Sequence, residues 1–164
     1  MSDRKPIILR GLLSVVVLFL FSAAFAGAES DVKLSRGETV YISTYSNVFV
    51  GSAKEKFQLS VLLSIRNTDP KYTVTITKVD YYNTDGRNIK TYVYNPVTLR
   101  PLASKYFFVE PQDDKGGEGA NFLVKWQAEH AVNQPIIEAV MSNLYNRQGL
   151  AFRCPGKIIT EHRE

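Results

Sequence analysis

Cysteine and histidine are nearly absent from this chain, which limits how the fold can be held together and what chemistry it can perform. Of 164 residues, one is cysteine and two are histidine. A single thiol cannot form an internal disulfide, so the fold has to be stabilised by packing. Free cysteine is most often a small buried residue, which predicts that Cys154 is structural. A reactive or intermolecular thiol is the alternative.

Nucleophilic catalysis also lacks the residues it needs. A catalytic triad requires a nucleophile, a histidine and an orienting acid. The histidines are His130, beside a predicted turn, and His162, in a polar tail, and no Gly-x-Ser-x-Gly elbow accompanies them. A pair of Cys154 and His130 is conceivable, but their spacing does not indicate one. We therefore predict that the chain is not an enzyme, has no catalytic residues and uses no cofactor.

Clusters of basic residues are missing as well. The formal net charge is +4, and three of the basic residues are Arg4, Lys5 and Arg10 at the start of the chain. The other Lys and Arg residues are scattered, whereas proteins that follow a phosphate backbone cluster them on one face. The sequence therefore predicts no nucleic-acid partner.

Residues 1–26 have the pattern of a secretory signal peptide. A basic start precedes an apolar run from Gly11 to Phe25, which is too short for a comfortable transmembrane span. Ala24-Phe25-Ala26 supplies the small-x-small cleavage pattern, with Ala26-Gly27-Ala28 as a second choice. No cysteine follows the run to carry a lipid. We predict cleavage and a periplasmic or secreted protein without a stable membrane span; an uncleaved N-terminal anchor is the alternative.

Period-two alternation of apolar and polar residues dominates the rest of the chain. It is clearest in Phe57–Arg66, where every second residue is apolar. The same pattern predicts strands in Thr39–Val50, Tyr72–Tyr82, the segment around Tyr92 and Tyr94, Val97–Leu99, Tyr106–Val109, Phe122–Gln127 and Leu150–Phe152. Ile136–Leu144 could be a strand or a two-turn helix. We predict a strand, because Pro135 and the turn at Arg147-Gln148-Gly149 suit a hairpin.

Turn residues separate these segments. Asn67-Thr68-Asp69-Pro70 ends one strand, since Asn and Asp bond their own backbone and Pro removes a donor. Asp85-Gly86 predicts a hairpin with a type I′ turn, which needs φ > 0 at both central residues. Between Ile76 and Val79 the apolar phase moves by one residue, which predicts a β-bulge near Thr77-Lys78.

Seven or eight short strands without an amphipathic helix predict an all-β, antiparallel β-sandwich. We expect a flexible lead-in at residues 27–38, one sandwich domain at 39–158 and a polar tail at 159–164. Trp126, on a central strand, is expected to be the largest apolar contributor to the core.

Five motifs follow one another along the chain: LSIRNTD (Leu63–Asp69), VDYYNTDG (Val79–Gly86), LRPLASKYFFVE (Leu99–Glu110), GGEGANFLVKW (Gly116–Trp126) and PIIEAVM (Pro135–Met141). With these motifs the chain resembles bacterial exported proteins that carry a conserved domain of unknown function, over about Gly37 to Ile158. More loosely, it is similar to immunoglobulin-like modules of bacterial envelope proteins. The resemblance implies an immunoglobulin-like sandwich in the cell envelope and implies no activity. Many exported relatives of such modules carry a lipobox cysteine, and this chain has none.

A tyrosine-bearing sheet face is the first candidate site. Tyrosine combines an apolar body with a polar tip, which suits a recognition surface. The predicted surface consists of Tyr81, Tyr82, Tyr92 and Tyr94. We expect this face, or a sheet edge that accepts an added strand, to bind another envelope protein or a saccharide. The alternatives are β-propensity with cross-strand pairing, and a purely structural domain.

The glycine-rich loop Asp113–Asn121 is the second candidate. Its residues of interest are Asp113, Asp114, Gly116, Gly117, Gly119 and Asn121. Acidic oxygen ligands there could suit Ca²⁺, but the spacing does not match an EF-hand, and tandem glycines also serve a mobile connection. We predict no metal site; an envelope enzyme or Ca²⁺-dependent module that combines this loop with His130 is the alternative. A separation above about 15 Å between His130 and the loop acids would remove that alternative, because a shared ligand or proton needs hydrogen-bond reach.

Overall fold

Alternating side chains favour extended backbone, and β-strands dominate residues 32–51, 55–145 and 148–162, which the computed structural model describes. These described residues contain twelve strands and no helix, so none of their segments is a helix able to cross a membrane. The strands are β1 (Leu34–Ser43), β2 (Asn47–Val50), β3 (Glu55–Gln58), β4 (Ser60–Arg66), β5 (Val74–Tyr82), β6 (Asn88–Thr91), β7 (Val97–Leu99), β8 (Ser104–Val109), β9 (Asn121–Asn133), β10 (Ile136–Tyr145), β11 (Gln148–Pro155) and β12 (Lys157–Glu161). The strand predicted at Ile136–Leu144 is thus confirmed as β10. The predicted signal peptide, residues 1–26, lies outside the described residues.

Two antiparallel sheets and one hairpin make up the described fold. The larger sheet has the order β12-β1-β9-β5-β6, with β7 also paired to β5. The smaller sheet has the order β11-β10-β4-β8, and β2 pairs with β3. Side chains of both sheets join one core cluster, which includes Ile42 and Val124 from one sheet and Val61 and Met141 from the other. The predicted all-β sandwich is therefore confirmed; its finer immunoglobulin-like assignment stays a prediction.

The core is built from the inward halves of alternating strands. Val61, Leu63 and Ile65 of β4 are fully buried, as are Phe122, Val124 and Trp126 of β9. Burying an aliphatic side chain of this size stabilises the fold by about 1.5–3 kcal/mol. The alternation predicted from Phe57 to Ile65 is therefore confirmed, because every second residue of this segment is buried.

Twelve strands are described instead of the predicted seven or eight, partly because two predicted strands are divided and partly because short strands such as β7 and β12 add to the number. The segment Thr39–Val50 is interrupted at Ser46, whose backbone N–H donates to the Gly117 carbonyl at 3.0 Å. The segment Phe57–Arg66 is interrupted at Leu59, whose N–H donates to the Ser46 carbonyl at 2.8 Å. Because these backbone groups bond a loop and a bend instead of a ladder, β2 and β3 separate as a hairpin.

A β-bulge changes the orientation of β5, as predicted. The register of β5 against β9 shifts between Ile76 and Lys78, and the Thr77 hydroxyl donates to the Lys125 carbonyl at 3.3 Å. Beyond the bulge, Val79 and Tyr81 face the core instead of solvent. The bulge therefore decides which tyrosines of this strand are accessible.

The hairpin predicted at Asp85-Gly86 joins β5 and β6, but its type I′ turn is not observed. Of the two central residues, only Gly86 has a positive φ, of 76°. The Asn83 side-chain oxygen accepts the N–H groups of Asp85 at 3.1 Å and Arg87 at 2.9 Å. The Asn83 side chain thus stabilises the turn by hydrogen bonds, whereas the predicted turn depended on a positive φ at both central residues.

The sheet extends beyond both predicted domain boundaries. β1 begins at Leu34, so residues 34–38 of the predicted lead-in belong to the larger sheet. β12 takes residues 159–161 from the predicted tail, because it pairs with β1. The chain crosses from β11 to β12 at Gly156, whose N–H donates to the Ile137 carbonyl at 2.8 Å. A Cβ at Gly156 would lie 2.7 Å from that carbonyl oxygen, so the crossing requires glycine.

Candidate functional site

The four tyrosines predicted to form a surface lie in different environments. Tyr81 is only 1% exposed; its ring stacks on Phe122 at 4.7 Å, and its hydroxyl bonds the Ser46 hydroxyl at 3.1 Å. Burial raises the pKa of Tyr81. The prediction that Tyr81 lies on the surface is therefore wrong, because the bulge before it turns its side chain inward.

Tyr92 and Tyr94 lie beyond β6, and only one of them is accessible. Tyr92 is partly buried, with its ring 5.4 Å from that of Phe107 and 5.9 Å from that of Phe122. Burial raises the pKa of Tyr92 to about 12. Tyr94 is 81% exposed. Of these two tyrosines, only Tyr94 is therefore largely accessible to a partner.

Tyr82 belongs to a polar network on the outer face of the larger sheet. Its hydroxyl donates to Asp80 at 3.2 Å, and Asp80 also bonds Lys78 Nζ at 2.7 Å and the Thr91 hydroxyl at 2.8 Å. Burial alone would raise the pKa of Asp80, but these hydrogen bonds and the Lys78 charge outweigh it and lower the pKa. The hydrogen bond from Lys78 to Asp80 in turn raises the pKa of Lys78. The network is a saturated ion pair rather than a poised acid or base.

The glycines of the Asp113–Asn121 loop have a packing role. A Cβ on Gly116 would overlap the Tyr81 hydroxyl and lie 2.7 Å from Ser46 Oγ. The Thr84 hydroxyl donates to the Gly116 carbonyl at 3.1 Å and accepts the Gly119 N–H at 2.9 Å. Gly117 has φ of 73°, a conformation that glycine adopts without strain. The loop is therefore hydrogen-bonded to Thr84 and packed against Tyr81 and Ser46, which gives its glycines a structural role.

The acidic residues of the loop do not converge with His130. Glu118 pairs with Lys56 at 2.9 Å, and this hydrogen bond lowers the pKa of Glu118. Within the described ranges, no three His, Cys, Asp or Glu side chains group as metal ligands. Asn121 and Gln127 of β9 are about 20 Å apart at the usual rise of a strand. His130 follows Gln127 at the far end of β9, and its ring contacts Tyr72 at 4.4 Å. The geometry does not assemble the site that combines the loop with His130.

Cys154 lies on β11 opposite Ala139, a fully buried residue. The cysteine is partly buried and packs against the core, and burial raises the pKa of its thiol. A thiol that holds its proton is a poor nucleophile, which agrees with a structural role.

An exposed aromatic pair of the smaller sheet lies on β8, which the prediction did not select. Tyr106 is 67% exposed and Phe108 is 42% exposed. Phe108 is aligned with Leu62 of β4, which is aligned with Val140 of β10, so all three share the outer face. We call these four side chains, Leu62, Tyr106, Phe108 and Val140, the β8 face. Alternation of Tyr106 and Phe108 with buried Phe107 and Val109 was the sequence signal for it.

β8 is also an edge strand, with a strand partner on one side only in the described part of the chain. The Phe108 carbonyl accepts a hydrogen bond from the Tyr92 hydroxyl at 3.4 Å, so it points away from β4. In an antiparallel pair, alternate residues direct their backbone groups to the same side. The N–H and C=O groups of Ser104 and Tyr106 therefore also point outward, where they can pair with another strand.

A polar cleft of about 420 Å³ lies on the outer face of the larger sheet. It forms where the register of β9 jumps: Ser35 opposes Val132 but Gly37 opposes Gln127, so β9 loops out between these points. The residues that line the cleft are Arg36, Thr73, Thr75, Gln127, Ala128, Glu129 and His162. His162, predicted to lie in a polar tail, is held by Thr39 Oγ1 at 3.0 Å from its Nε2.

The described chain thus defines a class of protein: an all-β sandwich of antiparallel sheets with one aromatic edge and one polar cleft. More particularly, it belongs to the family described as "Protein of unknown function (DUF3124)", whose model matches residues 37–159. This match confirms the resemblance to a family without an assigned activity. No curated protein matches the chain. Among solved structures, it is similar to the crystal structure of Thermotoga maritima 1070, with 10% identity over 73% of this chain and 92% of that one and a TM-score of 0.46.

Proposed function

We propose that the chain is an exported, non-enzymatic binding module of the bacterial cell envelope, and that it binds an extended segment of another envelope protein along β8. Export is supported by the basic start, apolar run and Ala24-Phe25-Ala26 pattern of residues 1–26. The observation that carries the binding role is the edge of β8, whose outward backbone groups lie beside exposed Tyr106 and Phe108. Nucleic acid is not among the proposed partners.

Strand addition would use two features of β8, its outward backbone groups and its exposed aromatic side chains. Backbone hydrogen bonds to the outward groups of Ser104 and Tyr106 would give affinity, and contacts with the β8 face would give specificity. A hydrogen bond contributes only about 0.5–1.5 kcal/mol net, because the strand exchanges water for the partner. The apolar contacts of Tyr106 and Phe108 are therefore needed for stable binding.

Lys105 narrows the choice of partner. It is exposed on β8, with its Nζ 5.9 Å from the centre of the Phe107 ring. A charged residue on an edge strand discourages indiscriminate pairing. Opposite charges on directly opposed residues of two strands attract, whereas like charges repel. The segment that binds best is thus extended, with an apolar residue against the β8 face and an acidic residue opposite Lys105.

The test is site-specific photocrosslinking in cells that produce the protein, with a photoreactive residue at position 106. The proposal expects a discrete covalent adduct with an envelope protein, and none from the same residue at position 159, where exposed Ile159 lies on β12 of the larger sheet. Replacing Ser104 by Pro blocks pairing, because it removes an outward N–H while every N–H bonded to β4 is kept. Phe107→Pro is the matched control: it removes an N–H that points to β4, so it is expected to destabilise the fold, which Ser104→Pro should not do. An adduct that survives Ser104→Pro would refute strand addition.

The polar cleft favours a second candidate function, the binding of an envelope saccharide. Threonine hydroxyls, an amide and the charged side chains of Arg36 and Glu129 line it, and such groups can bond the hydroxyls of a sugar. Its volume lies within the range of about 300–1,000 Å³ typical of small-molecule sites. Calorimetry with soluble cell-wall glycan fragments tests this. The saccharide proposal expects Arg36→Ala and Glu129→Gln each to weaken binding and Ser104→Pro to leave it unchanged. If neither cleft variant changes the measured heat of binding, the proposal is refuted.

A further inference from the structure

A second, smaller cleft opens at the opposite edge of the sandwich from β8, where the chain crosses from β11 to β12. It has a volume of about 220 Å³. Its apolar walls include Val40 of β1, Ile137 of β10 and Ile158 of β12, and Glu38 and Gln134 also line it. We call it the Glu38 cleft.

Glu38 is an unusual residue for this position. It lies in phase with Val40 and Ile42 on the inner face of β1, aligned with Trp126 of β9, and it is only 1% exposed. Its Oε1 accepts a hydrogen bond from the Gln134 side chain. No described Lys, Arg or His side chain forms an ion pair with it. A carboxylate held in an apolar wall by one neutral amide is costly, and a positive ligand group beside it would offset that cost.

The remaining charges of the cleft agree with a cation. Glu138 and Arg153 also line it, and they pair with each other at 3.0 Å. Glu138 and Arg153 therefore balance each other, and Glu38 is the carboxyl group of the cleft lining without an opposite charge paired to it. An attractive charge at an apolar wall suits a group that has an alkyl stem and a positive end.

Size and geometry distinguish among such groups. The volume is below the range of about 300–1,000 Å³ for pockets that enclose a drug-sized ligand, so the cleft admits a side chain or a small amine. Guanidinium groups bind carboxylates best through two parallel hydrogen bonds. Because Gln134 already occupies Oε1, a compact ammonium with single-point donors fits better than a guanidinium.

We propose that the Glu38 cleft binds a primary ammonium group on an alkyl stem, with Glu38 as its counter-charge and Val40, Ile137 and Ile158 around the stem. This inference is independent of strand addition at β8. The ammonium can belong to a free alkylamine or to a lysine side chain of a partner, and the two sources share this chemistry.

The test is binding of butylammonium to the purified protein, followed by NMR shifts of the Val40, Ile137 and Ile158 methyl groups. Butylammonium is expected to bind at least about tenfold more tightly than butanol, the gain expected for one charge-assisted hydrogen bond. It is also expected to bind more tightly than butylguanidinium, because Gln134 occupies one carboxylate oxygen and prevents two parallel hydrogen bonds. Glu38→Gln keeps an oxygen for Gln134 and removes the charge, and it is expected to abolish the preference over butanol. Glu55→Gln, at an exposed glutamate on β3, is the matched control and should bind as the original protein does.

A second variant keeps the test informative if Glu38→Gln fails to fold. Ile158→Trp fills the cleft from an exposed strand and leaves Glu38 in place, so it should lose binding without losing the fold.

A pentapeptide with one central lysine distinguishes the two sources of the ammonium group. Tighter binding than butylammonium indicates a protein lysine, and weaker binding indicates a free amine. Equal affinity for butylammonium and butanol, or unchanged binding by Glu38→Gln, would overturn the proposal.

Discussion

Replacing Tyr81 by Phe tests whether this tyrosine stabilises the core or serves recognition. The substitution keeps the ring that stacks on Phe122 and removes only the hydroxyl that bonds Ser46 at 3.1 Å. Ser46 is fully buried, so its hydroxyl would lose its partner without gaining water. Leaving one buried polar group unsatisfied costs about 1–3 kcal/mol. A domain of this size should then lose about 4 °C in Tm for each kcal/mol.

The assay is thermal and urea unfolding of Tyr81→Phe beside Tyr94→Phe, an exposed matched control whose free energy of unfolding should change by less than about 0.5 kcal/mol. The double variant with Ser46→Ala should lose less stability than the sum of the single variants, because both remove the same hydrogen bond. A coupling of about 0.5–1.5 kcal/mol is expected. If Tyr81→Phe unfolds at the original temperature, or if the two losses add fully, the buried hydrogen bond is not stabilising and the reasoning is refuted.

Three further predictions concern the loops and the thiol. Gly116→Ala should lower the free energy of unfolding by about 1–3 kcal/mol, because its Cβ would overlap the Tyr81 hydroxyl, and equal stability in urea would contradict this packing role. The backbone N–H groups of Tyr72 and Lys71 lower the pKa of Asp69 below its ordinary value of 3.8. Its stabilisation is therefore complete above that value and is lost as pH falls through the lower folded pKa, so Asp69→Asn should flatten the loss of stability in acid urea titrations. Cys154 should react slowly with iodoacetamide at pH 8 in the folded protein and quickly in urea, because burial raises the pKa of its thiol; equal rates would show an accessible thiolate.

Much of the fold is predictable because its signals are local. The buried half of β4 and the bulge in β5 follow from apolar residues at every second position and from a change in their phase. Both are properties of neighbouring residues, and the backbone translates them directly into side-chain direction. The division of two predicted strands was not predictable, since the interruption at Ser46 depends on hydrogen bonds to Gly117 and Leu59.

The candidate sites were less predictable than the strands. Tyr81 was assigned to a surface although the predicted bulge placed it in phase with buried Val79. The sequence therefore already indicated that Tyr81 is buried. Tyr106 and Phe108 alternate with buried residues, and that pattern could have selected them. Glu38 lies two residues before Val40 and four before Ile42, so it shares their face of the strand and is marked as an inward carboxyl group. The polar cleft had no local signal, because it brings together β1, β5, β9 and His162 from distant parts of the chain.

By itself, the sequence determined the all-β class, the positions of most turns and the expectation of export, since each depends on the order of side chains over a few residues. Tertiary structure decided which strands lie side by side, which loop is hydrogen-bonded to the core and which charges remain unpaired. These depend on pairing between strands far apart in the chain, such as β1 with β9 and β12, and no short pattern specifies such a partner.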